Sequence, residues 1–146
     1  EPGSDGYAFH FGRSEEIFPE IPVDLEQVRR ILDNLLENSL KYAGTKPVRI
    51  DVAMSRDDNS VFLDWEDHGA GVPKEKIGKI FDKFYRCDEA RTKKGSGVGL
   101  YLVKWIMKQH GGSVLAENRN GLWIRLVFPV KNAGVNQYGK NTDCGR

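Results

Sequence analysis

Apolar positions in the first half of the chain recur every three or four residues, a spacing typical of an amphipathic helix. The residues that form this stripe are Leu25, Val28, Ile31, Leu32, Leu35, Leu36 and Leu40. Asp24 and Gln27 have the spacing of an N-terminal capping box, and Gly44 stands where a glycine commonly ends a helix. The pattern predicts a helix over residues 25–43.

A second helix is predicted after a glycine-rich segment that ends at Gly99. Its apolar face consists of Leu102, Val103, Ile106 and Met107. Gly111 and Gly112 would end this helix, because glycine accepts the backbone angles that follow a last helical turn. Residues 74–81 fit one or two further helical turns.

Elsewhere apolar and polar residues alternate, which predicts strands. The predicted strands cover residues 7–11, 48–54, 61–65, 113–117 and 122–128. Asp57-Asp58-Asn59 and Asn120-Gly121 supply the hairpin turns, the latter a type I′ signal. Strands joined mainly by hairpins, together with two long helices, favour an α+β two-layer sandwich over a doubly wound parallel sheet.

Composition narrows the class of protein. The chain has 146 residues, of which 39% are hydrophobic, enough for one domain with one core. A formal charge of +1 argues against a polybasic binder of nucleic acid or membrane surfaces. No apolar run approaches the roughly 18 residues of a membrane span, and no signal peptide is evident. Cys87 and Cys144 predict reduced thiols in a cytosolic setting rather than a disulfide framework. Because the chain opens with Glu1 rather than Met, we interpret it as one domain of a larger protein.

Three polar residues share one face of the first predicted helix. Asn34, Asn38 and Lys41 are spaced i, i+4 and i+7. A side-chain amide oxygen suits Mg²⁺, and an ammonium group can meet a phosphate. Taken alone, the same pattern also describes an ordinary solvated helix face.

Asp67-His68-Gly69-Ala70-Gly71 follows a predicted strand. Its glycines would let the backbone approach a flat ring while the Asp67 carboxylate accepts from an exocyclic amine such as that of adenine. By itself this pattern is weak and is more typical of an ordinary turn.

A glycine-rich segment, Gly95-Ser96-Gly97-Val98-Gly99-Leu100, opens the second helix. Such a segment can turn amide N–H groups toward an anion at a helix N-terminus. Its spacing is neither that of a P-loop nor GxGxxG. Upstream, Phe81 and Phe84 with Arg86 fit a docking clip in which the guanidinium faces a phosphate or a partner; two ordinary core aromatics are the alternative.

Together these segments closely resemble the catalytic and ATP-binding domain of two-component sensor histidine kinases, within the wider gyrase, chaperone and mismatch-repair ATPase group. NLLENSLKY resembles the N box, DHGAG the G1 box, FDKFYR the F box and GSGVGL the G2 box. The resemblance runs from about residue 21 to residue 129. It implies the Bergerat-type fold: a mixed, mostly antiparallel sheet with helices on one face.

The resemblance also implies a role for each site residue. Catalytic roles fall to Asn34 near the phosphates, to Lys41 on a phosphate and to Arg86 near the γ-phosphate. Asn38 would ligate Mg²⁺. The remaining ATP contacts would come from Tyr42, Asp67, Gly69, Gly71, Gly95, Ser96, Gly97, Val98, Gly99 and Leu100. Asp67 would read the adenine amine.

The implied domain limits are a lead-in over residues 1–20, the ATP-binding domain over 21–130 and a loose tail over 131–146. Residues 82–96 lack apolar periodicity, are basic and would form a mobile ATP lid.

The implied reaction needs an acceptor histidine that this chain does not supply. His10 and His68 lack the His-Glu context of a phosphoacceptor, and His110 is interpreted as a helix-terminal residue, where a cationic imidazole is favourable. The implied partners are therefore a dimerisation and phosphoacceptor domain of the same parent protein and a downstream response regulator, with no nucleic acid and no direct membrane contact. The domain would be cytoplasmic, even in a membrane-anchored parent.

Three other functions share the same pocket: a conformational ATPase, an anti-sigma-type Ser/Thr kinase and a binding-only module. The F-box stretch and the long lid favour the histidine kinase over the Ser/Thr kinase. The four intact boxes argue against a binding-only module.

Overall fold

A computed structural model of the chain describes residues 6–83 and 99–130. Within these residues the elements follow the predicted order. The strands are β1 Tyr7–Phe11, β2 Val48–Arg56, β3 Ser60–Asp67, β4 Ser113–Arg119 and β5 Gly121–Pro129. The α-helices are α1 Leu25–Tyr42 and α2 Gly99–Gln109, and a 3₁₀ helix covers Lys74–Lys79. The α+β class predicted from the alternating patterns is confirmed.

The strands form one five-stranded sheet in the order β1-β2-β3-β5-β4. β1 runs parallel to β2, whereas the other neighbours are antiparallel, so the sheet is mixed and mostly antiparallel. The hairpins β2–β3 and β4–β5 turn at the two predicted positions. Because β3 and β5 lie side by side in the middle, the end of β3 is enclosed by neighbours on both sides.

The core lies between the apolar face of the sheet and the apolar faces of α1 and α2. Buried apolar residues occupy alternate positions in β2 and in most of β5, where Trp123 is buried as well, and they belong to the same core cluster as the apolar faces of α1 and α2. Its most completely buried side chains are Ile31, Leu35, Val48, Ile50, Val103, Ile106, Met107, Ile124 and Leu126. Burying each such side chain stabilises the fold by about 1.5–3 kcal/mol before entropy is counted.

The predicted ends of α1 are confirmed, but the predicted capping box is only half formed, because the Asp24 N–H donates to His110 and not to the Gln27 side chain. The Asp24 carboxylate accepts a hydrogen bond from the Gln27 N–H at 3.2 Å. At the other end the Ala43 N–H donates to the Ser39 carbonyl at 3.0 Å, and Gly44 takes a φ of +81°.

His110 directly follows α2, as predicted for a helix-terminal residue. Its Nε2 accepts from the Asp24 N–H at 3.0 Å, and its Nδ1 lies 2.9 Å from the Ile106 carbonyl. The first bond needs a ring lone pair and the second needs a ring N–H, so the geometry assigns the neutral Nδ1–H tautomer. The imidazole joins the end of α2 to the start of α1.

Candidate functional site

The site is organised around Asp67, the last residue of β3. Its side chain is only 3% exposed. Oδ1 accepts from the N–H groups of Gly69 and Leu122, each at 3.2 Å, and Oδ2 accepts from the Ser39 hydroxyl at 3.1 Å. The carboxyl group is therefore held by a loop, by a neighbouring strand and by α1 at once.

Burial raises the pKa of Asp67 above its usual value of 3.8, because desolvation disfavours the charged form. The hydrogen bonds from Leu122, Ser39 and Gly69, and the charge of His68, oppose this effect without cancelling it. A carboxylate kept dry and rigid in this way discriminates strongly between a hydrogen-bond donor and an acceptor placed before it.

Gly69 allows the loop after β3 to pack directly on the end of α1. A Cβ built at Gly69 would fall 2.5 Å from both the Cα and the carbonyl oxygen of Ala43. The adjacent Ala70 N–H donates to that same carbonyl at 2.7 Å. Close approach of backbone to backbone therefore explains the first glycine of the DHGAG segment.

Asn118 of β4 holds the other side of this loop. Its Oδ1 accepts from the Val72 N–H at 2.9 Å and its Nδ2 donates to the Val72 carbonyl at 2.6 Å. Gly71, with a φ of +76°, lies against the same side chain. The loop that follows Asp67 is thus fastened to α1 on one side and to β4 on the other.

His68 has a partner away from the Asp67 carboxyl group. Its Nε2 lies 2.9 Å from Oδ2 of Asp51, which also accepts from Arg49. Burial alone would raise the pKa of Asp51, but the hydrogen bonds from His68 and Arg49 outweigh it and lower that pKa. This arrangement orients the loop without adding a donor to the Asp67 carboxylate.

The polar residues predicted on α1 lie on one half-buried face. Asn34, Asn38, Lys41 and Tyr42 are each partly exposed. A Cβ built at Gly99 would lie 3.9 Å from Oδ1 of Asn34, so the start of α2 approaches this face. Leu100 packs against the core. The Lys41 ammonium lies 3.0 Å from the Glu37 carboxylate.

Other predicted site residues fall outside the described part of the chain. These are Arg86, Gly95, Ser96, Gly97 and Val98, together with most of the predicted lid. Phe81 is described and packs against the core, which favours a core role for this aromatic.

Sequence reasoning missed three residues of the site: Ser39, Trp65 and Asn118. For Ser39 the signal was present, because it lies four residues after Leu35 on the buried stripe of α1, and a polar residue on such a stripe needs a partner. Trp65 fits the alternation of its strand, Asn118 lies just beyond the strand predicted over residues 113–117, and nothing local marks either residue.

A magnesium ion fits this donor set only together with phosphate oxygens. Within residues 6–83 and 99–130, no three His, Cys, Asp or Glu side chains come together to hold a metal. The Asn38 amide offers a neutral oxygen, and Mg²⁺ in nucleotide sites typically combines few protein ligands with substrate phosphates and water. In the same part of the chain, no helix is both long and apolar enough to cross a bilayer.

Comparison with known proteins agrees with this geometry. A family model described as "Histidine kinase-, DNA gyrase B-, and HSP90-like ATPase" matches residues 23–132. The WalK sensor protein kinase of Staphylococcus haemolyticus is 40% identical over 128 residues, which cover 83% of this chain and 21% of that protein. The WalK sensor histidine kinase of Bacillus subtilis is 34% identical over 115 residues, which cover 75% of this chain and 18% of that protein.

Among solved structures, the mycobacterial sensor histidine kinase MprB superposes with a TM-score of 0.71 at 25% identity, covering 86% of this chain and 84% of that one. The chain spans about a fifth of the length of the two WalK relatives.

Proposed function

The chain belongs to the family of histidine kinase-, DNA gyrase B- and HSP90-like ATPases, and on that premise we propose that it binds ATP with Mg²⁺ as the catalytic domain of a sensor histidine kinase. Residues 21–130 form the ATP-binding unit in this proposal. The γ-phosphoryl group passes to a histidine on a separate dimerisation domain and from there to a response regulator. ATP as donor implies that the domain works in the cytoplasm.

The buried Asp67 carboxylate is the observation that carries this proposal. It accepts three hydrogen bonds from the protein and keeps acceptor capacity for a further donor. The amine of adenine is such a donor, whereas the carbonyl of guanine is an acceptor. Gly69 and Gly71 shape the loop beside it.

The polar face of α1 lies at the phosphate end in this proposal. Asn38 holds the magnesium ion, which neutralises phosphate charge when bound. Asn34 and Lys41 contact phosphate, and Tyr42 contacts the nucleotide. Arg86 and residues 95–100 complete the phosphate contacts.

The chain's residues fit phosphoryl transfer to an imidazole better than hydrolysis of ATP. Asn34 has no basic group, and the Glu37 carboxylate already pairs with Lys41. Since neither of these two α1 side chains serves as a base toward water in this proposal, catalysis consists of positioning and charge neutralisation. The imidazole nitrogen bonds to the γ-phosphorus, the bond to the bridging oxygen breaks, ADP leaves, and the imidazole releases its N–H proton to solvent.

The test combines the chain, radiolabelled ATP and a purified dimerisation domain from a WalK-type kinase. We expect acid-labile phosphohistidine on the added domain only, with slow phosphate release from the chain alone. Replacing Asp67 by Asn presents a donor to the adenine amine, and calorimetry should show ATP affinity reduced at least about 10-fold. Rapid phosphate release without the added domain would instead favour the conformational ATPase. Acid-stable phosphoserine or phosphothreonine on a partner would favour the Ser/Thr kinase.

A further inference from the structure

A chain of polar contacts crosses the core beneath the candidate adenine site. The Trp65 indole Nε1 donates to the Ser39 hydroxyl oxygen at 3.0 Å, and that hydroxyl donates to Oδ2 of Asp67 at 3.1 Å. The three residues are between 1% and 3% exposed. Polar groups at this depth are costly unless they are paired, so each contact in the chain constrains the next.

The direction of these hydrogen bonds follows from the chemistry of the groups. An indole N–H can only donate, so it occupies a lone pair of the Ser39 oxygen. The hydroxyl hydrogen then remains available for the carboxylate. Trp65 thereby directs Ser39 to act as a donor toward Asp67.

The hydrogen bonds within the protein occupy most of the acceptor positions of the Asp67 carboxylate. An ionised carboxylate has about four acceptor positions, two on each oxygen. Gly69 and Leu122 use both positions on Oδ1, and Ser39 uses one on Oδ2. Counting the contacts from residues 6–83 and 99–130, one position on Oδ2 remains for a ligand.

We propose that Ser39, directed by Trp65, is a positioning residue that sets the nucleotide specificity of the site. It holds Asp67 as a group that only accepts, with a single open position on Oδ2. The site therefore selects a purine with an amine at position 6 and rejects one with a carbonyl there. This inference rests on the proposed function, since it takes the ligand to be ATP.

Loss of the Ser39 hydroxyl has two consequences. Its hydrogen bond lowers the pKa of Asp67, so removing it raises that pKa further. A protonated carboxyl can donate to a 6-carbonyl group, which makes inosine triphosphate (ITP) a better ligand relative to ATP. Discrimination should therefore decrease, and ATP binding should fail at a higher pH than in the original protein.

The experiment measures dissociation constants of ATP and ITP by calorimetry from acidic to neutral pH. The variants are Ser39→Ala, Trp65→Phe and the control Ser55→Ala, which lies on β2. For Ser39→Ala we expect ATP affinity to fall about 10-fold and ITP affinity by less than about 3-fold. The pH below which ATP binding is lost should be higher than in the original protein. Trp65→Phe keeps an aromatic side chain but removes the indole N–H, which frees the lone pair of the Ser39 hydroxyl, so it should change the same two quantities less. It carries the test if Ser39→Ala does not fold. Ser55→Ala should change neither.

If Ser39→Ala loses ATP and ITP affinity equally and the pH dependence of ATP binding does not change, Ser39 only supports the fold and the inference is refuted. Unchanged affinities for both nucleotides would also refute it. An Asp67→Asn variant measured in parallel separates this failure from that of the proposed function. If Asp67→Asn loses ATP while Ser39→Ala keeps full discrimination, only the role of Ser39 is wrong. If Asp67→Asn binds ATP as well as the original protein does, the proposed adenine site itself is wrong.

Discussion

Replacing Gly69 by Ala tests whether the loop after β3 must pack directly on the end of α1. The added Cβ would lie 2.5 Å from the Ala43 Cα and from its carbonyl oxygen. Real Cβ atoms do not approach other atoms so closely, and neither of these atoms can move by a change of rotamer. The loop must therefore move away from α1 and weaken the 2.7 Å hydrogen bond from Ala70 to Ala43.

The expected loss of stability follows from the cost of overpacking a close contact. Such substitutions destabilise proteins by about 1–3 kcal/mol, and a clash with backbone belongs at the upper end, about 3 kcal/mol. For a domain of this size that loss corresponds to a fall in Tm of roughly 10 °C. ATP affinity should fall as well, because the moving loop donates a hydrogen bond to Asp67 through the Gly69 N–H.

The assay is urea unfolding of the original chain, of Gly69→Ala and of the matched control Gly78→Ala. A Cβ at Gly78, in the 3₁₀ helix, would meet nothing within 4 Å. The control should stay within about 0.5 kcal/mol of the original protein. If the two variants unfold at the same urea concentration, the close packing of the loop on α1 does not contribute as argued.

Three further experiments test other parts of the sheet and the site. Because burial raises the folded-state pKa of Asp67 above 3.8, the ionised form of this side chain costs stability. Chemical denaturation should therefore show Asp67→Asn gaining stability relative to the original protein as pH rises through and above 3.8. A difference in stability that stays constant with pH would contradict this. Asn118→Ala removes both hydrogen bonds to the Val72 backbone and should cost about 1 kcal/mol in urea unfolding, with weaker ATP binding; unchanged values would show that the loop does not need this clamp. Arg125 and Asp64 form a bidentate ion pair, with N–O distances of 2.7 and 2.9 Å. A double-mutant cycle should give a coupling free energy of about 1 kcal/mol that falls as salt is added, and a coupling of zero would assign the pair no role in stability.

Much of the fold could be predicted because its signals are local. The period of apolar residues placed α1 and α2, the alternation placed all five strands, and Asp24 and Gly44 marked the ends of α1. The order of the strands in the sheet could not be read from these patterns. That β5 lies between β3 and β4 depends on which strands pair across long separations, and the alternating pattern is the same for every possible neighbour.

His110 illustrates the limit of local reasoning. Its position after α2 was predictable, but its hydrogen bond to an N–H group 86 residues away in the chain was not. A helix end attracts a cation in general, yet here one hydrogen bond requires a neutral ring. Only the tertiary structure brings those two atoms together.

In the candidate site, too, some features follow from short segments of sequence and others only from the tertiary structure. By itself the sequence determined the kinds of groups present, a carboxylate after a strand, amides on a helix face and glycines at a turn, because these are properties of short segments. The tertiary structure alone decided that Ser39 of α1, Leu122 of β5 and Trp65 of β3 meet around Asp67. Which acceptor position of the carboxylate stays open depends on that meeting, since hydrogen bonds act over about 3 Å in space and are indifferent to separation along the chain.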